Sequence, residues 1–141
     1  MPGALYLLSD AARKGSADAA LQLSVCAAWG VGQPRDVAAA LDHLTRAAEY
    51  GSAVARRELQ VLARASSTDW RSLRQAIDVS ALTAAPAVRV ISERPRILVI
   101  EGFATPDECA SLIELGRPGL RRALVYRGSA DPRAAESRTN T

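Results

Sequence analysis

The sequence predicts a mainly α-helical protein, in which short helical repeats stack on one another and a smaller segment of strands and one helix follows. Three observations carry this prediction. Residues 4–23 and 40–59 are similar to each other at an offset of 36 positions. Within each copy the apolar residues recur with the period of a helix. From Val88 onward the apolar residues instead alternate or run together, as they do in strands.

The repeat is visible when ALYLLSDAARKGSADAALQL is aligned with ALDHLTRAAEYGSAVARREL, because ten of the twenty positions are identical. The identities include leucine, glycine and serine as well as the abundant alanine. Gly15 and Gly51 directly follow the helical pattern, where a positive φ is cheap only for glycine. Ser16 and Ser52 come next and are suitable N-caps for the following helices. Units of this kind, with each unit packing on its neighbour, are typical of an α-solenoid.

Between the two copies, the stretch GVGQPRD separates two helices. Gly30 and Gly32 supply the bend, and Asp36 is a suitable N-cap or first-turn acid for a helix that begins near Val37. Alanine at the facing positions lets paired helices approach closely.

After Leu62 the repeat pattern weakens, and the sequence predicts a capping helix around Trp70 to Val79. Three residues are candidate N-caps: Ser67, Thr68 and Asp69. Trp70, Leu73 and Ile77 form an apolar stripe that would cover the end of the repeats, and Leu82 is a further candidate for it. The stretch TAAPAV is a short bend into a different pattern.

One full repeat, ADAALQLSVCAAWGVGQPRDVAAALDHLTRAAEYGSAVA, closely resembles a Sel1-like repeat, a relative of the tetratricopeptide repeat. The family's turn of an aromatic residue followed by Gly-x-Gly, its second helix and its Ala-Ala-x-x-Gly ending are matched by Trp29, Gly30, Gly32, Asp36, Ala40, Ala47, Ala48 and Gly51. The tetratricopeptide period of about 34 residues fits less well, and that repeat lacks the Gly-x-Gly turn. The resemblance implies a scaffold that binds a protein or peptide partner and performs no chemistry.

The C-terminal segment alternates strands with one helix. AVRVI and RILVIEGF predict strands, and TPDECASLIELG predicts a helix that ends at Gly116. Thr105 is its N-cap, Pro106 takes the first helical position, and Glu108 closes a capping box. We expect its buried face to comprise Cys109, Leu112 and Ile113, with Leu115 as a further candidate. LRRALVYRG predicts another strand, SADPRAAE a loop, and SRTNT the start of one more strand.

This order of elements resembles the opening of the prolyl 4-hydroxylase-like 2-oxoglutarate and Fe(II)-dependent oxygenases. The matching pieces are Pro95 to Phe103, Thr105 to Cys109, Leu120 to Tyr126, and Arg138 to Asn140, with Asn140 in place of the family's usual serine. The resemblance implies the incomplete opening of a double-stranded β-helix, or jelly-roll. It places Arg138, Thr139 and Asn140 beside a peptide-substrate groove, and it implies Fe(II), 2-oxoglutarate and ascorbate for the complete parent domain.

The iron ligands of that family are His-x-Asp and a more distant histidine, which together form a facial triad. This chain has a single histidine, His43, followed by Leu44 and Thr45. We therefore expect no catalytic residue, no bound metal and no oxygenase activity from this polypeptide alone. We expect His43 to be an ordinary exposed or half-buried residue, and Trp29 to pack in the core.

Composition excludes several classes of protein. A formal charge of +3 is too small to indicate nucleic-acid binding by itself, and aromatic residues are too sparse for base stacking. The excess of arginine after Arg117 is either a solvated surface or a groove for an acidic or peptide ligand.

The chain shows neither a signal peptide nor a membrane span. Cys26 and Cys109 form no metal-binding or redox motif, so we expect both to be buried, reduced thiols. We expect a cytoplasmic protein, and 17 arginines against one lysine suggest a bacterial one.

Two functional interpretations stay open. In the first, the chain is the N-terminal portion of a bacterial Sel1-repeat protein with an oxygenase domain: repeats in residues 1–64, a capping helix and linker in 65–87, and a truncated oxygenase domain in 88–141. Its repeats would bind a protein partner, and its parent domain would hydroxylate a peptide or protein side chain. In the second, it is a stand-alone interaction scaffold without catalysis. Neither interpretation includes a nucleic acid or a membrane as partner, and the oligomeric state is left open.

Overall fold

The computed structural model describes residues 3–121, together with the backbone of residues 124–125 and 133–134. The chain divides into two compact units, Met1–Phe103 and Ala104–Thr141. The described residues form mainly α-helices with short pairs of antiparallel strands, which confirms the mainly helical class. The division predicted at residue 88 follows a change of sequence pattern rather than packing, and the predicted domain bounds stay predictions.

Six helices lie in the first unit: α1 (Ala4–Arg13), α2 (Ala17–Trp29), α3 (Val37–Glu49), α4 (Ala53–Ala63), α5 (Trp70–Ala76) and α6 (Val79–Thr83). From α1 to α5, each helix packs on the next one along the chain, and α5 contacts α3 as well as α4. The short helix α5 therefore lies across two helices and borders both of them.

The turn after α3 has the geometry that the glycine and serine predict. Gly51 has a φ of +100°, and its N–H donates to the Ala48 carbonyl oxygen at 3.1 Å. The N–H of Ser52 donates to the Ala47 carbonyl oxygen at 2.9 Å. These two bonds satisfy the last carbonyls of α3 as a Schellman motif does. The Ser52 hydroxyl then accepts from the Ala55 N–H at 3.2 Å and caps α4.

The turn after α1 makes the same bonds 36 positions earlier. Gly15 has a φ of +91°, and its N–H donates to the Ala12 carbonyl oxygen at 3.1 Å. The Ser16 N–H reaches the Ala11 carbonyl oxygen at 3.1 Å, and its hydroxyl accepts from the Ala19 N–H at 3.2 Å. The sequence repeat is therefore also a repeat of backbone geometry.

The bend between α2 and α3 uses both predicted glycines. Gly30 and Gly32 have φ values of +73° and +69°, a region that costs other residues free energy. At Gly32 a β-carbon would also lie only 3.0 Å from a methyl carbon of Leu5. The Asp36 carboxylate accepts from the Ala39 N–H at 2.9 Å and caps α3 as predicted.

The core of the first unit consists of small and medium-sized aliphatic side chains. Leu59 is its largest fully buried member. The buried cluster comprises Ala12, Ala19, Ala20, Leu23, Leu41, Leu44, Ala47, Ala48, Ala55, Leu59, Leu73 and Ile77. Because so many of these residues are alanine, the helices approach closely, and each leucine contributes a large share of the apolar area that is buried.

The predicted capping helix forms, but it is shorter than expected. Asp69 is its N-cap and accepts from the Ser72 N–H at 3.1 Å. The helix ends at Ala76 because Ile77 is extended and the Asp78 carboxylate starts the separate helix α6.

The stripe predicted for this capping helix is buried only in part. Leu73 and Ile77 are buried as predicted, Trp70 is half-buried, and Leu82 lies outside the core with 44% of its surface exposed. The break after Ala76 shifts the helical phase and turns Leu82 away from the stripe.

The strands predicted after Val88 form a hairpin. Strand β1 (Arg89–Glu93) pairs antiparallel with β2 (Arg96–Val99), with Val90 opposite Leu98 and an irregularity between Val90 and Ser92. The peptide bond between Arg94 and Pro95 is cis. Most side chains of both strands are exposed, so the hairpin buries little apolar surface of its own.

The second unit begins with α7 (Pro106–Gly116). Its predicted capping box is present: the Thr105 hydroxyl accepts from the Glu108 N–H at 3.2 Å, and the Glu108 carboxylate accepts from the Thr105 N–H at 2.7 Å. A 3₁₀ turn, Arg117–Gly119, follows directly. The local signals for this helix therefore predicted its start and its end correctly.

The predicted buried face of α7 is wrong. Leu112, Ile113 and Leu115 are 65%, 57% and 55% exposed, Cys109 is exposed, and Ser111 is the buried residue. Among the described elements, α7 packs mainly on the 3₁₀ turn that follows it, and that turn does not cover its apolar side chains.

Those two strands are β3 (Leu124–Val125) and β4 (Arg133–Ala134), which pair antiparallel. Strand β3 lies within the predicted strand LRRALVYRG. Strand β4 lies where a loop was predicted, and that prediction is wrong at these two positions. A strand of two residues is defined by its hydrogen bonds to the neighbouring strand. It is too short to show the alternation of apolar and polar residues from which strands are predicted.

Candidate functional site

An open groove of about 550 Å³ runs between α3 and α5. Its lining residues are polar or charged: Asp42, Thr45, Arg46 and Glu49 on α3, and Arg71, Arg74 and Gln75 on α5. Spacings of three and four residues place each set on one face of its helix. The groove therefore presents three arginines and two carboxylates between two helices.

Two ion pairs join the helices across the groove. Arg74 Nε lies 2.8 Å from Asp42 Oδ1, and Arg71 Nε lies 2.7 Å from Glu49 Oε1. Arg74 also donates to the Ala38 carbonyl oxygen at 3.3 Å and is the less exposed of the two arginines, at 22% against 79%. The hydrogen bond to Glu49, together with its negative charge, raises the pKa of Arg71. The two ion pairs therefore link α5 to α3.

A second set of contacts fixes the junction of α3, α4 and α5. The Arg56 guanidinium carbon lies 5.4 Å from the centre of the Trp70 ring, within the range of a cation–π contact. Arg56 Nε also donates to the Ala48 carbonyl oxygen at 3.0 Å. One side chain of α4 thus contacts both α3 and α5, the two helices that form the walls of the groove.

His43 lies on α3 and is half-buried, as predicted. Its Nδ1 is buried and has no hydrogen-bond partner among the described residues. Burial lowers the pKa of His43, and the positive charge of Arg46 lowers it further, while Asp42 acts in the opposite direction. The imidazole is therefore neutral near pH 7.

The residues present do not fit the iron that the oxygenase resemblance implies. No group of three or more histidine, cysteine, aspartate or glutamate side chains in the described part of the chain is placed to hold a metal ion. His43 is also the single histidine of the sequence, whereas the facial triad needs two.

Trp29 is exposed over 79% of its surface, so the prediction that it packs in the core is wrong. The reason is the phase of α2. Ala20, Leu23 and Ala27 mark the buried face of that helix, and Trp29 lies about half a turn away from Ala27 at 100° per residue.

Both cysteines are free thiols. Cys26 is half-buried on α2, whereas Cys109 is exposed on α7, so the expectation of a buried thiol is wrong for Cys109. Its burial was predicted together with that of the apolar face of α7, and both fail for the same reason.

The candidate substrate-binding residues Arg138, Thr139 and Asn140 lie outside the described residues, and their role stays a prediction. The α3–α5 groove was missed by sequence reasoning. A weak signal was available, since Asp42, Arg46 and Glu49 share one helical face. Glu49 and Asp42 pair with arginines that lie 22 and 32 positions further along the chain. Pairs so distant in sequence depend on how the helices pack.

No helix in the described part of the chain has both the length and the apolar character needed to cross a membrane. Comparisons with models of known protein families, with curated proteins and with solved structures found no match to this chain. The function is therefore argued from the groove and from the repeated turns.

Proposed function

We propose that the helical region is a protein-interaction scaffold, and that its groove between α3 and α5 binds a peptide segment of a partner protein. The groove is the observation that carries this proposal. It is open, its walls are fixed by ion pairs at Asp42 and Glu49, and it offers hydrogen-bonding groups from both helices. Fixed walls reduce the ordering that a bound peptide must impose on the protein.

We further propose that this scaffold is a Sel1-like α-solenoid. The support is the repeated turn, with Gly15 and Gly51 at positive φ and Ser16 and Ser52 as the next N-caps. The two glycines of the bend between α2 and α3 also have the positive φ that the Gly-x-Gly turn of these repeats calls for. In a solenoid each unit packs on its neighbours and leaves one continuous face for a ligand.

The groove suits binding by hydrogen bonds and charge. Arg46, Arg71 and Gln75 supply N–H donors, and Glu49 and Asp42 are already bonded to arginines. A peptide backbone has carbonyl oxygens that such donors reach, so a polar segment of a partner is a better match than an apolar one.

For the C-terminal region, we propose the opening of a prolyl 4-hydroxylase-like oxygenase domain whose complete form hydroxylates a peptide or protein side chain. Two observations support it: the capping box of Thr105 and Glu108, and the exposed apolar side chains of α7, which suit a face that further structure covers. Fe(II) with 2-oxoglutarate would supply the oxidising chemistry of the complete domain, and ascorbate would keep the iron reduced. The repeats would then position the partner for that domain, in the cytoplasm.

The binding proposal is tested by selecting displayed random 12-residue peptides on the intact 141-residue chain. Selected peptides are then titrated into ¹⁵N-labelled protein, and shifted amide resonances are mapped. We expect the largest shifts on α3 and α5, and weaker binding by the Arg71→Ala variant. Arg13→Ala is the matched control, because it removes another exposed arginine in an ion pair: Arg13 is 68% exposed against 79% for Arg71, and it pairs with Asp10 on α1. Shifts that all lie away from α3 and α5, or a failure to enrich any peptide, would contradict the proposal.

The oxygenase proposal makes a separate prediction for this chain. Anaerobic titration with Fe(II), followed by calorimetry, is expected to show no tight stoichiometric site, because one histidine cannot supply a facial triad. Saturating binding at one equivalent would contradict the ligand argument. An open reading frame that continues past codon 141 and encodes His-x-Asp would support the parent architecture, whereas an immediate stop would favour the stand-alone scaffold.

A further inference from the structure

We propose that the α3–α5 groove recognises a carboxylate of the bound peptide, and that Arg46 is the residue that binds it. This inference rests on the proposed function and adds to it the chemical class of the ligand. It follows from the way in which the charges inside the groove are paired.

Two carboxylates of the groove lie on the same helix as Arg46. Asp42 precedes Arg46 by four residues and Glu49 follows it by three, so both are spaced to pair with it along α3. Neither carboxylate pairs with Arg46, because Asp42 bonds to Arg74 at 2.8 Å and Glu49 bonds to Arg71 at 2.7 Å. Within the part of the chain that the structure describes, Arg46 has no carboxylate partner.

The charges that line the groove do not balance. Three arginines and two carboxylates line the groove, which leaves an excess of one positive charge. Arg46 is half-buried, so part of its side chain has already lost contact with water. A guanidinium offers five donors in a planar arrangement that matches a carboxylate with two parallel hydrogen bonds. A single ligand carboxylate would therefore balance the charge of the groove.

The two carboxylates beside Arg46 favour a ligand with a single carboxylate over a polyanion. Asp42 and Glu49 are seven residues apart on α3, or about 10 Å along the helix axis, and Arg46 lies between them. A nucleic-acid strand carries a charge on every phosphate, so a strand that follows the groove would bring further phosphates close to these two carboxylates. A peptide with one acidic group at Arg46 and neutral residues on either side avoids that repulsion.

Two sources of such a carboxylate are a glutamate or aspartate side chain and the C-terminus of the peptide. Gln75 lies on the opposite wall of the groove and is exposed. Its amide both donates and accepts, which suits the neutral backbone on either side of the acidic group.

The experiment compares matched synthetic peptides on the intact chain by fluorescence anisotropy. Each peptide that binds the groove is made with its acidic residues or with the corresponding amides, and with a free or an amidated C-terminus. We expect removal of the recognised carboxylate to weaken binding about tenfold, as for a hydrogen bond between charged groups. The form that loses affinity identifies whether the carboxylate comes from a side chain or from the C-terminus.

Variants of the protein complete the test. In Arg46→Gln the difference between acidic and amide peptides should disappear, and Arg46→Glu should favour peptides with lysine or arginine at that position. Arg35→Glu is the matched control: it makes the same change of charge at an exposed residue outside the groove lining, and should keep the preference of the wild type. Circular dichroism spectra are compared first, so that a misfolded variant is recognised.

Acidic and amide peptides of equal affinity would overturn the inference and leave the proposed function intact, provided that they still bind at α3 and α5. A preference that persists in Arg46→Gln would also overturn it. If no peptide shifts any resonance of the groove, the proposed function fails and this inference fails with it.

Discussion

The helical region, residues 4–83, and the C-terminal region, residues 88–121, are equally well formed locally but differ in what they bury. The helices of the first bury a continuous cluster of alanine, leucine and isoleucine side chains. The second has a paired hairpin and a helix with a complete capping box. Its large apolar side chains are nevertheless mostly exposed, as Phe103 at 78% and Leu112 at 65% illustrate.

The difference shows that capping and turn signals act over a few residues, whereas burial needs a second face of matching shape. A capping box satisfies the first N–H groups of a helix whether or not the helix packs on anything. A stable core requires apolar surface on two elements at once.

Separate production of residues 1–87 and 88–141 should give the largest contrast. We expect residues 1–87 to unfold in one cooperative transition, because they contain the whole buried cluster. We expect residues 88–141 to show no such transition, since a two-stranded hairpin without a covered face is at most marginally stable. Thermal melts by circular dichroism and by calorimetry measure both. A sharp transition in residues 88–141 would remove the contrast.

Much of the fold was predictable because its signals are local. The caps at Asp36, Ser52 and Thr105 and the positive φ of Gly51 follow from a few neighbouring residues, and all of them formed as predicted. The error at Trp29 has a local cause too, since the phase of α2 places it opposite the buried face.

The groove between α3 and α5 and the exposure of α7 could not be predicted from local sequence signals. The ion pair of Asp42 with Arg74 joins residues 32 positions apart, and it depends on how α5 lies across α3. The burial predicted for Cys109, Leu112 and Ile113 was wrong, because a helical pattern does not show whether another element covers the face. Both depend on packing between elements distant in sequence.

Truncation of a leucine should have opposite consequences in the two regions. Leu59→Ala removes the largest fully buried side chain and should lower the free energy of unfolding by about 3 kcal/mol, through lost burial and a cavity. Leu112→Ala makes the same substitution at a residue that is 65% exposed. It should change the free energy of unfolding by less than about 0.5 kcal/mol. Urea unfolding followed at 222 nm measures both. Similar losses for the two variants would show that α7 is part of the same cooperative unit.

Replacement of a glycine by alanine should also affect the stability of the two regions differently. Gly51 has a φ of +100°, and a β-carbon there would meet no atom within 4 Å, so the cost of Gly51→Ala is purely one of backbone conformation. We expect a loss of about 1 kcal/mol. Gly116 has a φ of −78° and equally open surroundings, so Gly116→Ala should be neutral or slightly stabilising. Thermal midpoints of the two variants test this, and a loss in Gly116→Ala would contradict the conformational explanation.

We expect a still smaller effect of pH on stability through the single histidine of the chain, His43, which lies on α3 in the helical region. Burial lowers the pKa of His43 in the folded state, and the charge of Arg46 adds to this, while the unfolded chain has a value of about 6.5. Above that value both states carry a neutral imidazole, and the contribution of His43 to stability is fully present. As the pH falls below it, the unfolded state takes up the proton first, so stability decreases until the pH passes the lower folded-state pKa. We expect urea midpoints of the intact chain to decrease between pH 7 and pH 5.5, and His43→Gln to reduce that slope. An unchanged slope in His43→Gln would assign the dependence to the carboxylates instead, and pH sensitivity would no longer distinguish the two regions.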